Sequence, residues 1–235
     1  MSTAKYAPVA NSVLRALSRP ESRRLLASYK QVNLTYGDIL CEPGERIEHV
    51  YFLNDGIISL LAPVKGHMTV EVGLVGREGM AGMPLLLGVN VSPVRMLVQG
   101  TGTAMRMPAA SFRNEIKRNT ALQHNLSHYL YALMVQVAQT AACNSCHLLG
   151  ARLARWLLMT HDRIQANEFH LTQEFLAHML GVRRAGVTKA AGVLQKKRLI
   201  RYSRGNITIL DRKGLERVSC ECYRVVNDLC DRMPG

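Results

Sequence analysis

The most chemically distinctive stretch of this 235-residue chain is a run of basic residues in its last third. Between positions 183 and 204 the chain has no aspartate or glutamate, and its basic residues there are Arg183, Arg184, Lys189, Lys196, Lys197, Arg198, Arg201 and Arg204. The formal net charge is +13, and the region after residue 143 carries +8 of it. So concentrated a positive field attracts a polyanion such as nucleic acid, although a solvated basic face would have the same composition.

The spacing around these charges predicts a helix-turn-helix. Thr172 can cap a first helix, and Gly181 stands where a left-handed turn needs a residue without a Cβ. The inward positions of the two helices are Leu176, Ala177, Leu180, Val182, Val187 and Ala190. The outward positions of the second helix are Arg183, Arg184, Ala185, Thr188 and Lys189. The start of such a helix enters a major groove, where arginine can pair with the two acceptor atoms of guanine.

Two short β-rich runs follow the second helix. Residues 199–202 and 207–210 flank the turn Ser203-Arg204-Gly205-Asn206, which predicts a β-hairpin wing with a basic tip. A wing of this kind lies on the phosphate backbone. The helix-turn-helix, the wing and the local charge therefore agree on duplex DNA as the ligand.

Other elements must hold this region in place. Residues 11–29 read as helical, with a capping box at Ser18-Arg19-Pro20-Glu21. From about 30 to 107, short apolar runs broken by turn residues predict an antiparallel sandwich or barrel, and Asn54-Asp55-Gly56 is a hairpin signal. A long helix is predicted over 120–143. Its a/d seam is Leu126, Leu130, Leu133, Val137 and Thr140, which would join two chains or pack within one.

Together these features resemble the Crp/Fnr family of transcriptional regulators. The residues that carry the resemblance are 171–189, where a helix ending in Leu-Gly precedes the recognition helix, and 194–201 before the wing. Gly37-Asp38, Pro43-Gly44-Glu45, Tyr51-Phe52-Leu53 and Gly56 resemble the opening hairpins of the family's cyclic-nucleotide-binding β-roll. The resemblance covers about residues 18–215.

The resemblance implies an α+β protein in three parts. Residues 1–118 would form an antiparallel β-roll sensor domain with flanking helices, 119–146 the dimerisation helix and hinge, and 147–235 the winged helix-turn-helix. It also implies a homodimer on double-stranded DNA with a two-fold operator, and RNA polymerase as a further candidate partner. We expect no catalytic residues, because the sequence has no Gly-rich phosphate loop, nucleophile elbow or paired-carboxylate signature. No run of about 18 apolar residues predicts a membrane segment. We expect a cytoplasmic location, because no apolar export segment follows Met1–Tyr6.

The residues expected to contact DNA are Thr172, Gln173, Arg183, Arg184, Ala185, Thr188, Lys189 and Arg204. By position in the family motif, Arg184 and Lys189 match base-reading residues. Ala185 stands where well-known members have glutamate, so their half-site cannot be transferred to this chain.

The sensor ligand is less well defined. Gly76-Arg77-Glu78-Gly79 resembles one part of the family's phosphate-binding pattern, but Ser92 and Arg95 match the later part poorly. We take Glu78, Gly79, Ser92 and Arg95 as candidate effector contacts and expect no bound cofactor, a cyclic nucleotide being doubtful. Glu78 and Arg95 could instead form a structural ion pair.

The cysteines suggest a second kind of site, one that binds haem, a metal ion or an iron–sulfur cluster. Cys143-Asn144-Ser145-Cys146-His147 matches the haem-attachment spacing CxxCH, which normally needs export. Cys143 and Cys146 could also join Cys220 and Cys222 in a four-thiolate metal or iron–sulfur site, or all four could be packed or reactive thiols. The sequence leaves these alternatives open, and no metal ligand is predicted from it. The cysteine cluster near the N-terminus of Fnr-type sensors is missing, since Cys41 is the first cysteine.

Overall fold

The computed structural model describes residues 9–26, 28–64 and 68–231. Residues 1–8, on which the expectation of no export signal rests, lie outside this range. The described helices are α1 (Ser12–Arg15), α2 (Arg19–Leu26), α3 (Ala109–Arg118), α4 (Thr120–Cys146), α5 (Leu149–Ile164), α6 (Gln173–Leu180), α7 (Arg184–Lys196), α8 (Arg212–Val218) and α9 (Cys222–Asp231), with a 3₁₀ helix at Met83–Leu87. No described helix is both long and apolar enough to cross a membrane.

The strands form three sheets. They are β1 (Lys30–Leu34), β2 (Ile39–Cys41), β3 (His49–Leu53), β4 (Ile57–Val64), β5 (Met68–Val75), β6 (Met80–Ala81), β7 (Arg95–Gly100), β8 (Gly102–Pro108), β9 (Glu168–His170), β10 (Ile200–Ser203) and β11 (Asn206–Ile209). The strand orders are β1-β8-β3-β6, β2-β7-β4-β5 and β10-β11-β9. This is the mixed helix and strand content that the sequence predicted.

The described chain divides into two compact units. One contains the residues up to Ile58 together with Val75–Tyr131, and the other contains Ser59–Leu74 and the residues from Ala132 onward. In the first unit β8 pairs antiparallel with β1 and with β3, and Phe52 and Phe112 are fully buried in its core. Glu21 accepts a hydrogen bond from the Ser18 backbone amide, which is one half of the predicted capping box, and a second one from the Ser18 hydroxyl.

The prediction of a β-hairpin at Asn54-Asp55-Gly56 is wrong. The turn follows β3, but β3 and β4 belong to different sheets. Asp55 instead accepts hydrogen bonds of 2.6 Å from the backbone and the hydroxyl of Thr103. Gly56 has a φ of +84°, and an added Cβ would lie 2.6 Å from the Gly100 carbonyl oxygen. The turn is therefore shaped by its contact with the β7–β8 connection rather than by strand pairing.

The seam predicted for the long helix is also partly wrong. Leu126 and Leu133 are buried within the chain, because α4 packs one stripe inward. That stripe comprises Leu122, Leu126, Tyr129, Leu133, Gln136 and Cys143. The side chain of Gln136 accepts from the Leu74 amide and donates to its carbonyl, which fastens α4 to β5. Val137 of the predicted seam is exposed, but the most exposed large apolar residues of α4 are Tyr131 and Met134, which with Ala138 and Ala141 follow a different seam.

In the second unit α5 forms the centre of a small helical core. Leu153, Leu157 and Thr160 are fully buried and Trp156 nearly so, whereas Leu149 at the start of the helix is only partly buried. Trp156 donates a 2.6 Å hydrogen bond from Nε1 to Glu71. Burial raises the pKa of Glu71 to about 7, although hydrogen bonds from Ser59 and Trp156 and the charges of Arg155 and Arg163 oppose the shift.

Candidate nucleic-acid interface

The first helix of the predicted motif, α6, begins and ends at the expected residues. The hydroxyl of Thr172 accepts a 3.1 Å hydrogen bond from the Phe175 amide and caps the helix. Gly181 has a φ of +62°, and the Val182 amide donates back to the Ala177 carbonyl over 2.9 Å. A left-handed C-cap of this kind favours glycine because a Cβ is disfavoured there. It turns the chain directly into the second helix.

The second helix, α7, presents one apolar and one basic face. Its buried residues are Val187, Ala190, Ala191 and Leu194. At Gly186 an added Cβ would lie 3.1 Å from a Leu149 methyl carbon, so α7 packs closely on the start of α5. The residues of α7 and its N-cap that were predicted to meet DNA are all exposed: Arg183, Arg184, Ala185, Thr188 and Lys189. The N-cap and the first two turns of the helix therefore carry three exposed cations.

One side-chain contact ties the two helices together on this exposed side. The hydroxyl of Thr188 donates a 2.7 Å hydrogen bond to the side-chain oxygen of Gln173, and Gln173 is the first residue of α6. Thr172 and Gln173 therefore stand beside the basic face of α7. The sequence predicted all three residues as DNA contacts, but it gave no indication of the hydrogen bond between Thr188 and Gln173.

The wing is a hairpin with a basic tip. Strands β10 and β11 pair antiparallel from Ile200 with Ile209 to Ser203 with Asn206. The tip consists of Arg204, which is exposed, and Gly205, which is partly buried; both are left-handed, with φ of +49° and +81°. The hydroxyl of Tyr202 donates to the Leu171 carbonyl over 2.7 Å, which anchors the wing to the residue before the helix-turn-helix. Burial raises the pKa of Tyr202 to about 12, so its phenol remains a donor at neutral pH.

Two family models match this arrangement. A model of the Crp-like helix-turn-helix domain matches residues 151–218, and a model of the cyclic nucleotide-binding domain matches residues 31–119. Together they account for well over half of the chain, in the order that the sequence predicted. The chain belongs to the Crp/Fnr family. As a Crp/Fnr protein it is a DNA-binding transcriptional regulator, and α7 is the second helix of its helix-turn-helix.

Solved structures of Crp/Fnr regulators have a similar fold. A Crp/Fnr-family regulator from Eubacterium rectale has a TM-score of 0.69 at 18% identity, covering 88% of this chain and 96% of that one. FixK2 from Bradyrhizobium japonicum has a TM-score of 0.69 at 12% identity, with coverages of 82% and 98%. TTHA1359 from Thermus thermophilus has a TM-score of 0.64 at 22% identity, with coverages of 81% and 98%. Among proteins with curated descriptions, none matches this chain in sequence.

The four candidate effector contacts are engaged within the protein. Glu78 accepts a hydrogen bond from the Gly76 amide, and the Ser92 hydroxyl donates to the Val94 carbonyl. The suggested ion pair of Arg95 with Glu78 is replaced by one with Glu42, whose Oε2 lies 2.7 Å from the Arg95 Nε.

Gly79 is covered by the side chain of Tyr129, which the sequence gave no reason to expect there. An added Cβ at Gly79 would clash with the ring of Tyr129 on α4. The Tyr129 side chain is almost fully buried in this position. The sensor domain and the first half of the long helix are therefore in direct contact at Gly79.

The cysteines of the rival hypothesis are only partly brought together. Cys143, Cys220 and Cys222 form a buried cluster, whereas Cys146 is exposed. The place expected for Cys146 is taken by His147, whose Nδ1 lies 3.4 Å from the Cys222 sulfur. The hydrogen bond between Cys143 and Cys220 lowers the pKa of the Cys143 thiol and raises that of the Cys220 thiol. The histidine of the Cys143–His147 motif was visible in the sequence, but its approach to Cys222 depends on folding across 75 residues.

Proposed function

We propose that this regulator works as a homodimer that inserts one α7 from each chain into successive major grooves of a two-fold operator. The observation that carries the proposal is the exposure of Arg183, Arg184 and Lys189 at the start of α7, while the opposite side of that helix is buried. A recognition helix held in this way presents its N-terminal residues to base edges.

The exposed residues divide into two roles. Arg184 and Lys189 read bases, since arginine can form two hydrogen bonds to guanine and lysine can reach a base edge. Arg183 and Arg204 bind phosphates on either side of the groove, and Thr172, Gln173 and Thr188 position the motif against the backbone. Ala185 contributes an apolar contact and no hydrogen bond.

The dimer is formed along α4. Tyr131 and Met134 are 60% and 62% exposed, and they continue into Ala138 and Ala141 at spacings of three, four and three residues. Large apolar side chains at heptad spacing are typical of the seam of a two-stranded coiled coil. A second copy of the same helix would cover them, and it would set the separation of the two recognition helices.

Functionally the chain divides as its sequence suggests, into a sensor domain at 1–118, a dimerisation helix at 119–146 and a DNA-binding domain at 147–235. A signal at the sensor domain changes DNA affinity by shifting α4, and the contact of Tyr129 with Gly79 provides a direct connection. The effector contacts of the sensor domain are Glu78, Gly79, Ser92 and Arg95. The protein acts in the cytoplasm, with DNA as its ligand and RNA polymerase as its candidate protein partner.

The test compares two double variants that remove the same charge. Fluorescence anisotropy measures binding to a random-sequence duplex at several salt concentrations. Arg183→Ala with Arg184→Ala should weaken binding about tenfold or more and flatten the salt dependence. Lys117→Ala with Arg118→Ala, which removes two exposed cations from α3, should change little. Equal losses from both pairs would contradict the proposed interface.

A further inference from the structure

Three thiols and one imidazole meet beside the end of α4. Cys143 lies in the last turn of that helix, His147 directly follows it, and Cys220 and Cys222 come from the junction of α8 and α9. One ligand atom from each of the four residues can be chosen such that all lie within 4.8 Å of one another. Cys143 and Cys222 are fully buried and Cys220 nearly so, while His147 stands at the rim.

The distances fit a single metal ion. The sulfur atoms of Cys143 and Cys220 are 3.4 Å apart, and the Cys222 sulfur is 3.4 Å from the His147 Nδ1. In a tetrahedral site with metal–sulfur bonds of about 2.3 Å, neighbouring ligand atoms lie roughly 3.8 Å apart. An iron–sulfur cluster places several irons and sulfides between its cysteines, so it needs a wider spacing than this.

Two neighbouring side chains form hydrogen bonds to the four candidate ligands, as the residues around a metal site do. The His147 Nε2, on the side of the ring away from Cys222, lies 3.1 Å from a carboxylate oxygen of Glu221. A carboxylate on the far nitrogen orients a ligating histidine and fixes which nitrogen faces the metal. In addition, the side-chain amide of Gln139 donates a 3.0 Å hydrogen bond to the Cys222 sulfur.

The charges near the cluster also suit an occupied site. Three thiolates with a divalent cation leave a net charge of −1. Arg155 interacts electrostatically with Cys143, and Arg152 does so with Cys143 and Cys220. Two cations beside the cluster therefore offset the remaining negative charge, which would otherwise be costly in a buried position.

We propose that Cys143, His147, Cys220 and Cys222 bind one tetrahedral metal ion of the zinc type. Three sulfurs and one nitrogen complete four-coordination from the protein alone, which is typical of a structural rather than a catalytic site. The ion joins the end of α4 to the segment between α8 and α9, so metal binding and the folding of this region are coupled. The proposal is independent of which operator is bound.

The test uses the full-length protein, purified with reductant, and measures metal content by mass spectrometry. We expect about one zinc per chain. After removal of zinc by a chelator, added Co²⁺ should give the intense near-ultraviolet and visible absorption of thiolate-bound tetrahedral cobalt. His147→Ala and Cys222→Ser should lose the cobalt spectrum and most of the zinc. Circular dichroism checks that each variant is folded, and His147 at the rim is the ligand whose loss disturbs packing least.

Cys146→Ser is the matched control, because Cys146 is exposed and lies outside the cluster. It should bind zinc and cobalt like the unchanged protein. The proposal is overturned if folded, reduced protein retains no metal and gives no cobalt spectrum, or if Cys146→Ser loses metal as fully as Cys222→Ser. A Cys143–Cys220 disulfide in a protein that binds no metal when reduced would overturn it as well.

Discussion

The hydroxyl of Thr188 on α7 and the side-chain oxygen of Gln173 on α6 are joined by a hydrogen bond of 2.7 Å. Both residues belong to the set expected to meet DNA, so the bond links two parts of one binding surface. It occupies the acceptor of Gln173 and leaves the amide hydrogens of that side chain as donors for phosphate oxygens. The two helices therefore approach DNA as a preorganised pair.

Removal of this bond should weaken DNA binding more than it weakens folding. Thr188→Val keeps the shape and β-branching of the side chain, and Gln173 lies near enough to the surface for water to replace the lost donor. We expect the free energy of unfolding to fall by about 0.5 kcal/mol and operator affinity to fall by about 3- to 10-fold. Urea unfolding and fluorescence anisotropy measure the two effects.

A double-mutant cycle with Gln173→Met provides the control for this prediction. If the bond matters for binding, the two substitutions together should cost less than the sum of their separate effects. Strict additivity would mean that the two side chains contact DNA independently.

Two substitutions at the wing tip distinguish the effect of charge on DNA binding from the effect of backbone strain on stability. Arg204 has a φ of +49°, a conformation that costs most residues about 1 kcal/mol and costs glycine little. Arg204→Gly and Arg204→Ala should both lower the slope of log affinity against log salt by about one for each wing, because each loses a phosphate contact. Arg204→Gly should be the more stable of the two in urea. An unchanged salt slope in both variants would show that the wing does not touch DNA.

The exposed face of α4 predicts the effect of a charge on assembly. Met134→Lys places a cation in the centre of the proposed seam, so sedimentation equilibrium should show a shift from dimer to monomer. DNA affinity should fall with it, since two half-sites are no longer bound together. The control is His128→Lys, at an exposed position of the same helix outside this face. A Met134→Lys protein that stays dimeric would place the interface elsewhere.

Buried Glu71 predicts a pH dependence of stability. Its pKa is raised to about 7 in the folded chain, whereas an unfolded chain has a glutamate pKa of about 4.3. Between these two pKa values the folded state therefore binds more protons than the unfolded state. The stabilisation that protonated Glu71 provides is lost as the pH rises toward 7. Glu71→Gln should abolish this loss. Between pH 5 and pH 8 the free energy of unfolding of the variant should therefore fall by about 1–3 kcal/mol less than that of the unchanged protein.

Urea unfolding at several pH values measures this difference, and Glu168→Gln, at an exposed position on β9, is the control. Parallel pH profiles for the Glu71→Gln and unchanged proteins would contradict the prediction.

The helix-turn-helix could be predicted closely because its signals are local. A cap at Thr172, a turn at Gly181 and apolar spacing along α7 depend on neighbouring residues, and the structure agrees with each of them. The α4 helix was predicted for the same reason. Its seam was not, because heptad spacing cannot tell which leucines the rest of the chain will cover. Leu126 and Leu133 turned out to be buried within it.

Long-range contacts account for the other differences. The Asn54-Asp55-Gly56 turn has the composition of a hairpin, but its conformation depends on Thr103, nearly fifty residues away. Similarly, the CxxCH motif indicates Cys146 as the partner of Cys143, whereas folding selects His147, Cys220 and Cys222. Neither outcome can be read from residues that are adjacent in sequence.

Selection of bound sequences from a random duplex library tests the central claim most directly. The purified full-length protein should enrich a two-fold site with guanines in each half, and Arg184→Ala should bind it less tightly by about 1–3 kcal/mol and relax one position per half. Enrichment of no sequence by the unchanged protein, with or without reductant and across candidate effectors, would contradict the assignment of α7 as a recognition helix.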